Sequence, residues 1–299
     1  MKSRLSLKNL ARAALNSLLL INIFVLAGCY SSTKPTYTWE NIDKTVRDIC
    51  KNEYKTEVKT KLAGRTLWVY LPLDNILSAS EKPQKYIEKF NIEKNEVTFK
   101  EGDLKAEYAV ITIPDQEKLD SVGFDKKAAE KNANVWKVIR RALFSLKNTD
   151  NNAPHFFCVV TADIKNGITL QETIYEHDMK KFWYGLMSNT EFQHRNRQDM
   201  ESNSLVIGDT EGTSINYRDI TMKEFIAGQI GQRIKTKFQK PEVGKNVDID
   251  KEIRKVIAVV LNIYDFQDFN QVELNNLVDN NKITLNKAAV LLGPSEDVK

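Results

Sequence analysis

The segment HFFCVVTADIKNGITLQETIYEH, residues 155–177, leaves the chain little choice of local structure. Two apolar, β-branched runs flank Asn166-Gly167, the pair favoured in a two-residue type I′ turn because both central residues there take positive φ. Such a turn sets Phe156 opposite His177 and His155 opposite Asp178. Alternation then places His155, Glu176 and Asp178 on one face at the open end of the hairpin.

The same alphabet of hairpins and helices continues elsewhere. Residues 56–73 read as two strands around Ala63-Gly64, and residues 95–114 as a hairpin turning at Glu101-Gly102-Asp103. Trp39, Ile42, Val46 and Ile49 form a helical stripe after Thr38, and Val135, Val138, Ile139, Ala142 and Leu146 form another within a helix predicted over 125–147. Helical spacing resumes over 178–192, which assigns Phe182, Trp183, Leu186 and Met187 to the core with Tyr184 off that face. Thr221 with Glu224 makes a capping box for a helix through Phe225, Ile226, Ile230 and Ile234, and Asp250 caps a helix running to Tyr264. The polar section around Pro83 is expected to be helical, as are two short stretches near 270–280 and 285–292. Residues 194–204 read as a polar loop, and residues 204–220 as a short hairpin.

Strand pairs with short joins, alternating with amphipathic helices, predict an α+β fold: antiparallel hairpins and sheet with helices packed against one side. The expected division is a leader over 1–28, a tether over 29–37, an α+β domain over 38–240 and a helical C-terminal subdomain over 241–299, with the boundary in the loop KPEVGKNVDID.

The leader has its own chemistry. Lys2, Arg4, Lys8 and Arg12 precede a run without charge from Ala13 to Gly28, the layout of an export signal. As a helix that run would span about 24 Å, short of the ~30 Å hydrocarbon core, and Asn16, Ser17 and Asn22 interrupt it. It ends in LAGC (Leu26, Ala27, Gly28, Cys29), which resembles the lipobox of bacterial lipoproteins. The resemblance covers about the first tenth of the chain. It implies cleavage between Gly28 and Cys29, a diacylglyceryl group on the Cys29 sulfur and acylation of the new amino terminus. Two or three acyl chains, at about 0.8 kcal/mol per buried methylene, hold a protein on a bilayer without a spanning helix. YSSTKPT after Cys29 has the composition of a short tether. In that family an aspartate after the cysteine marks inner-membrane retention, so Tyr30 favours the outer membrane of a diderm envelope.

Removing the four leader cations takes Lys and Arg from 44 to 40, equal to the 40 Asp and Glu. A balanced mature chain lacks the basic excess of a nucleic-acid binder and of a polybasic membrane patch. Two further cysteines, Cys50 and Cys158, sit in apolar surroundings. An exported chain meets an oxidising compartment, so they form a candidate disulfide, and burial equally permits two inert core thiols.

Catalytic patterns are sparse. His155, Glu176 and Asp178 could orient a general base or hold a weak metal site, against a solvated ion pair where strands fray. GDTEGTS, residues 208–214, lacks the Gly-Lys-Ser/Thr ending of a phosphate loop. Gly228 and Gly231 on one helix allow close approach of another segment, and Lys137, Arg140 and Arg141 read as a solvated helix face. No cofactor or metal is called for. The expected function is a non-enzymatic binding or scaffolding domain on the envelope surface, its partner an envelope protein or cell-wall polymer. The alternatives are an envelope hydrolase using scattered carboxylates or the His155/Asp178 pair, and a small-ligand-binding lipoprotein.

Overall fold

Every residue from Phe156 to Asp163 is buried, which a strand achieves only when both of its faces are covered. The computed structural model describes residues 37–146, 153–240 and 242–291, and this strand lies at the centre of the first of two sheets. That sheet has the order β1 (Lys59–Ala63), β2 (Thr66–Leu73), β5 (Phe156–Asp163), β6 (Ile168–Tyr175) and β7 (Arg197–Ser202). The second has the order β3 (Leu77–Lys100), β4 (Asp103–Phe124), β8 (Gln271–Asn276) and β9 (Asn281–Asn286). The β2/β5 and β4/β8 pairs are parallel and the other pairings antiparallel, so the fold is α+β with two mixed sheets.

A parallel pair needs a crossover, and α2 (Lys126–Phe144) supplies it between β2 and β5. Leu67, Val69 and Leu71 of β2, with Phe157 and Val159 of β5, pack on α2 and on α1 (Ile42–Tyr54), whose buried stripe is Ile42, Val46, Ile49 and Cys50. Each such side chain contributes about 1.5–3 kcal/mol when fully buried. The intervening residues Trp68, Tyr70, Phe156, Cys158 and Val160 face the other way and meet Val206, Ile220 and Phe225. Both faces are therefore covered, not one. Phe225 opens α5 (Met222–Gln239), whose Ile226, Ile230, Ile234 and Phe238 turn to the second sheet and to α6 (Ile249–Ile263).

Several expectations are corrected. The section around Pro83 is strand: β3 pairs with β4 from Leu77 to Lys100, and Pro83 falls in the register shift between Ala79 and Gln84, where its missing N–H is tolerated. Residues 197–202 of the expected polar loop form edge strand β7, and residues 204–220 form a 3₁₀ turn and loop instead of a hairpin. Near 270–280 the chain forms β8 and the turn into β9 instead of a helix, whereas the short helix expected near 285–292 is present as α7 (Lys287–Leu291). Asp248, not Asp250, caps α6, accepting from the Lys251 amide at 2.9 Å. Residues between Val243 and Leu291 share one core with β3, β4 and α5.

The β5–β6 turn is also different. Asp163 is buried and accepts from the Lys165 and Asn166 amides, at 3.2 and 2.8 Å, and from the Asn166 side chain. This side-chain-to-backbone turn makes a four-residue loop in which only Gly167 takes positive φ, at 69°. Phe156 consequently pairs with Tyr175 instead of His177.

Gly228 and Gly231 separate cleanly. A Cβ on Gly228 would lie 2.4 Å from Nε of Arg197, whereas one on Gly231 meets nothing nearer than the Asn95 side chain at 3.9 Å. Gly231→Ala is therefore expected to raise stability by about 0.5–1 kcal/mol through helix propensity. Gly228→Ala is expected to lose that gain or reverse it because Arg197 must leave its notch. Urea unfolding of the two variants side by side checks this.

Candidate functional site

His155 enters β5 at the wall of a cavity of about 450 Å³, shared with Arg65, Tyr175, Asp219, Thr221 and Tyr264. Burial, and then the charge of Arg65, holds its imidazole below the usual histidine value. The expected trio does not assemble. The Glu176 amide donates to the His155 carbonyl at 2.8 Å, but β6 ends at Tyr175 and Glu176 begins α3 (Glu176–Trp183). The Glu176 carboxylate pairs with His177 at 2.8 Å and Lys180 at 2.7 Å. Asp178 is 1% exposed and accepts from Nη1 of Arg195 at 2.9 Å and from the Tyr264 hydroxyl at 2.8 Å. Burial, reinforced by Asp178, pushes the Tyr264 phenol far up. Asp219 accepts from the Arg65 amide and the Thr66 hydroxyl at 2.9 and 3.0 Å, and Thr221 is engaged in its capping box. The cavity thus holds one half-buried imidazole, and the nearby Asp219 and Glu176 carboxylates are each bonded to other groups. Among the described residues no group of three or more His, Cys, Asp or Glu side chains could hold a metal ion.

GDTEGTS binds an anion, but its own. The Asp209 carboxylate accepts from the amides of Glu211, Gly212, Thr213 and Ser214 at 2.8–3.1 Å, and from the Ser214 hydroxyl at 2.6 Å. Burial acts to raise its pKa, but the Ser214 hydroxyl and these amides outweigh it and bring the value down to about 2. Donors that could cradle a phosphate are already used.

Cys50 and Cys158 are both free and buried. Cys50 faces the α1/α2 core and Cys158 the opposite face of the first sheet, so the strand layer separates the thiols and the candidate disulfide does not form. Burial pushes each thiol up to about 12. Cys29 and Gly28 lie outside the described residues.

The aromatic cluster is where the sequence reading fails most usefully. α3 stops at Trp183, Gly185 takes φ of 71°, and α4 (Asn189–Arg195) starts a new helix capped by Ser188. Leu186 and Met187 therefore leave the helical phase that assigned them to the core. Phe182 stacks on Phe192 at 4.3 Å, but Trp183, Tyr184 and Leu186 are 50%, 66% and 76% exposed. The Arg140 guanidinium lies 3.9 Å from the Trp183 ring centre, and the Phe144 ring sits tilted against Trp183 and edge-on to Tyr184. Arg141 instead pairs with Glu53 at 2.7 Å. The cationic helix face is thus partly committed to this patch.

Glu172 was missed in the sequence. It is 6% exposed, and its carboxylate accepts from Asn132 and Trp136 on one oxygen and Asn196 and Gln198 on the other, at 2.5–3.2 Å. Its inward position, every second residue from Ile168 and Leu170, was the available signal. A second, larger cleft of about 770 Å³ lies between β7, α5 and β3.

In comparisons with known proteins, no family model, no curated protein sequence and no solved structure matches this chain.

Asp178→Asn keeps the shape but removes the charge facing Arg195, and is expected to destabilise the fold by about 3–5 kcal/mol in thermal or denaturant unfolding. Asp209 acts through pH. Its folded value lies below the unfolded one, so its contribution is complete above about pH 4 and fades as pH falls toward about 2. Asp209→Asn should flatten that part of the stability–pH curve. Neither Cys50 nor Cys158 should react with an aromatic disulfide reagent at pH 8 until denaturant is added.

Proposed function

We propose that this chain is a lipid-anchored protein of the bacterial cell envelope whose folded part binds another envelope component without transforming it. The observation that carries the binding role is the exposed cluster of Trp183, Tyr184 and Leu186 beside Phe144 and Arg140. Aromatic residues and arginine are enriched where proteins meet, and a rigid tryptophan braced by a guanidinium gives contact area at low entropic cost. The anchor is supported by LAGC at 26–29 after a basic and apolar leader. No helix among the described residues is long and apolar enough to cross a membrane. An outer-membrane position in a diderm cell is the reading favoured by Tyr30. The partner class is an envelope protein or a cell-wall polymer. A hydrolase built on the His155/Asp178 pair is not favoured, since Glu176 and Asp178 are committed to other partners.

Mass spectrometry of the amino terminus should find cleavage before Cys29 and acyl chains on it; an unmodified thiol or a retained leader overturns the anchor. In cross-linked membranes, Trp183→Ser combined with Leu186→Ser should reduce the recovered partner about tenfold. Because Trp183 is half buried against Arg140 and Phe144, the loss counts only if a thermal melt shows the variant folded. Unchanged recovery would remove the patch from the binding role.

A further inference from the structure

The 770 Å³ cleft is lined by consecutive residues on two strands, Arg197 to Glu201 of β7 and Asn95 to Val97 of β3. A cleft against a sheet face would meet every second residue of a strand. Consecutive residues mean that it runs along strand edges, β7 and β3 being edge strands of the two sheets, and it extends over the face of the first sheet to Gln171 of β6 and Trp68 of β2. Both edges are pinned to one turn of α5. The Asn95 side chain donates to the Gly231 carbonyl at 2.7 Å, and the Gln198 amide donates to the Gln232 side chain at 2.9 Å. Both ties reach adjacent residues of one helical turn, so α5 floors the groove between the two edges.

The Gln198 bond also fixes the direction of the remaining groups. Because this amide points away from β6, the antiparallel alternation directs the amides and carbonyls of Met200 and Ser202 away from β6 as well. Residues 198–202 are exposed along this edge, without proline. The floor is open at Gly231, which has no packing reason to lack a side chain, whereas Arg197 fills the space over Gly228. Charge on the lining balances: Arg197, Arg218 and Lys235 against Glu96, Asp199 and Glu201. Arg197 is held by Asp199 at 2.7 Å and Arg218 by Glu224 at 2.5 Å.

We infer that this slot receives an extended, uncharged segment of a partner protein as an added strand on β7. Recognition runs through the main chain, by strand addition to an open edge. The site is separate from the Trp183 patch and does not depend on the lipid.

The test uses the folded protein and a library of capped, uncharged octapeptides of Thr, Ser, Asn and Val, read by fluorescence anisotropy. Binders are expected in the micromolar range, and N-methylation of alternate peptide amides should weaken them at least tenfold in one of the two phases. Met200→Pro removes one outward N–H at an edge position that tolerates proline, and Gly231→Gln fills the floor; each should lower affinity about tenfold. Should Met200→Pro fail to fold, Gly231→Gln decides. Slower amide exchange at Met200 and Ser202 on binding supports the added strand. No binder below millimolar, binding indifferent to both variants, or occupancy by chito-oligosaccharide in place of peptide would each overturn it.

Discussion

One helix answers to two cores. α5 enters with Phe225 against the second face of the first sheet, and one residue later Ile226 begins the row that packs on the second sheet. Its rotation is therefore fixed from both sides, and that rotation decides what lies between the sheets. Gly228 faces the guanidinium of Arg197, and Gly231 faces open space beside Asn95. An α5 turned by one residue would bring a bulky side chain into the cleft and lose either Phe225 or Ile226 to solvent.

Polar ties then hold the two halves in register. The Asp178 carboxylate joins α3 to Arg195 at the end of α4 and to Tyr264 after α6, while Gln229 of α5 donates to the Arg195 carbonyl at 2.6 Å. The charged pair at Asp178 is nearly dry, so its formation is a weak source of net stability but its loss is costly. Glu172 shows another solution. Four neutral donors surround one carboxylate, so β6, β7 and α2 can meet only in the arrangement that brings all four within reach.

Features governed by local physics were readable in the sequence. The Thr221–Glu224 capping box, the α1 and α2 stripes and the turn at Glu101-Gly102 all stand where spacing and turn chemistry place them. Errors arose where a distant or neighbouring group overrode the local signal. Asn166-Gly167 is a strong hairpin signal, but the buried Asp163 side chain captured the amides of 165 and 166 and lengthened the loop by two residues. The section around Pro83 reads as polar and helical, but it forms a two-stranded ribbon whose register shift leaves no need for an N–H at Pro83. β7 carries Arg, Gln, Asp, Met, Glu and Ser, a loop-like composition that an exposed edge strand can bear because only one side of it must pair. The aromatic cluster misled for the opposite reason. Its apolar spacing continued through Gly185, and a left-handed glycine broke the helix before the spacing could bury Leu186.

These failures share a cause that bears on function. A sequence dominated by burial announces itself through periodicity, whereas a surface kept open for a partner follows no period of its own. The exposed Trp183 and Leu186 depart from the amphipathic pattern by being apolar on the outside, and the β7 edge departs from it by being polar where a strand is formed. The glycines of GDTEGTS show the control case: a loop that looks open to a ligand, but whose amides converge on Asp209 and leave it complete. What distinguishes the two kinds of surface is whether the hydrogen-bonding groups and the apolar area find partners within the chain. At Asp209 they do, whereas at the Met200 edge and the Trp183 face they point outward, and the proposed binding rests on that difference.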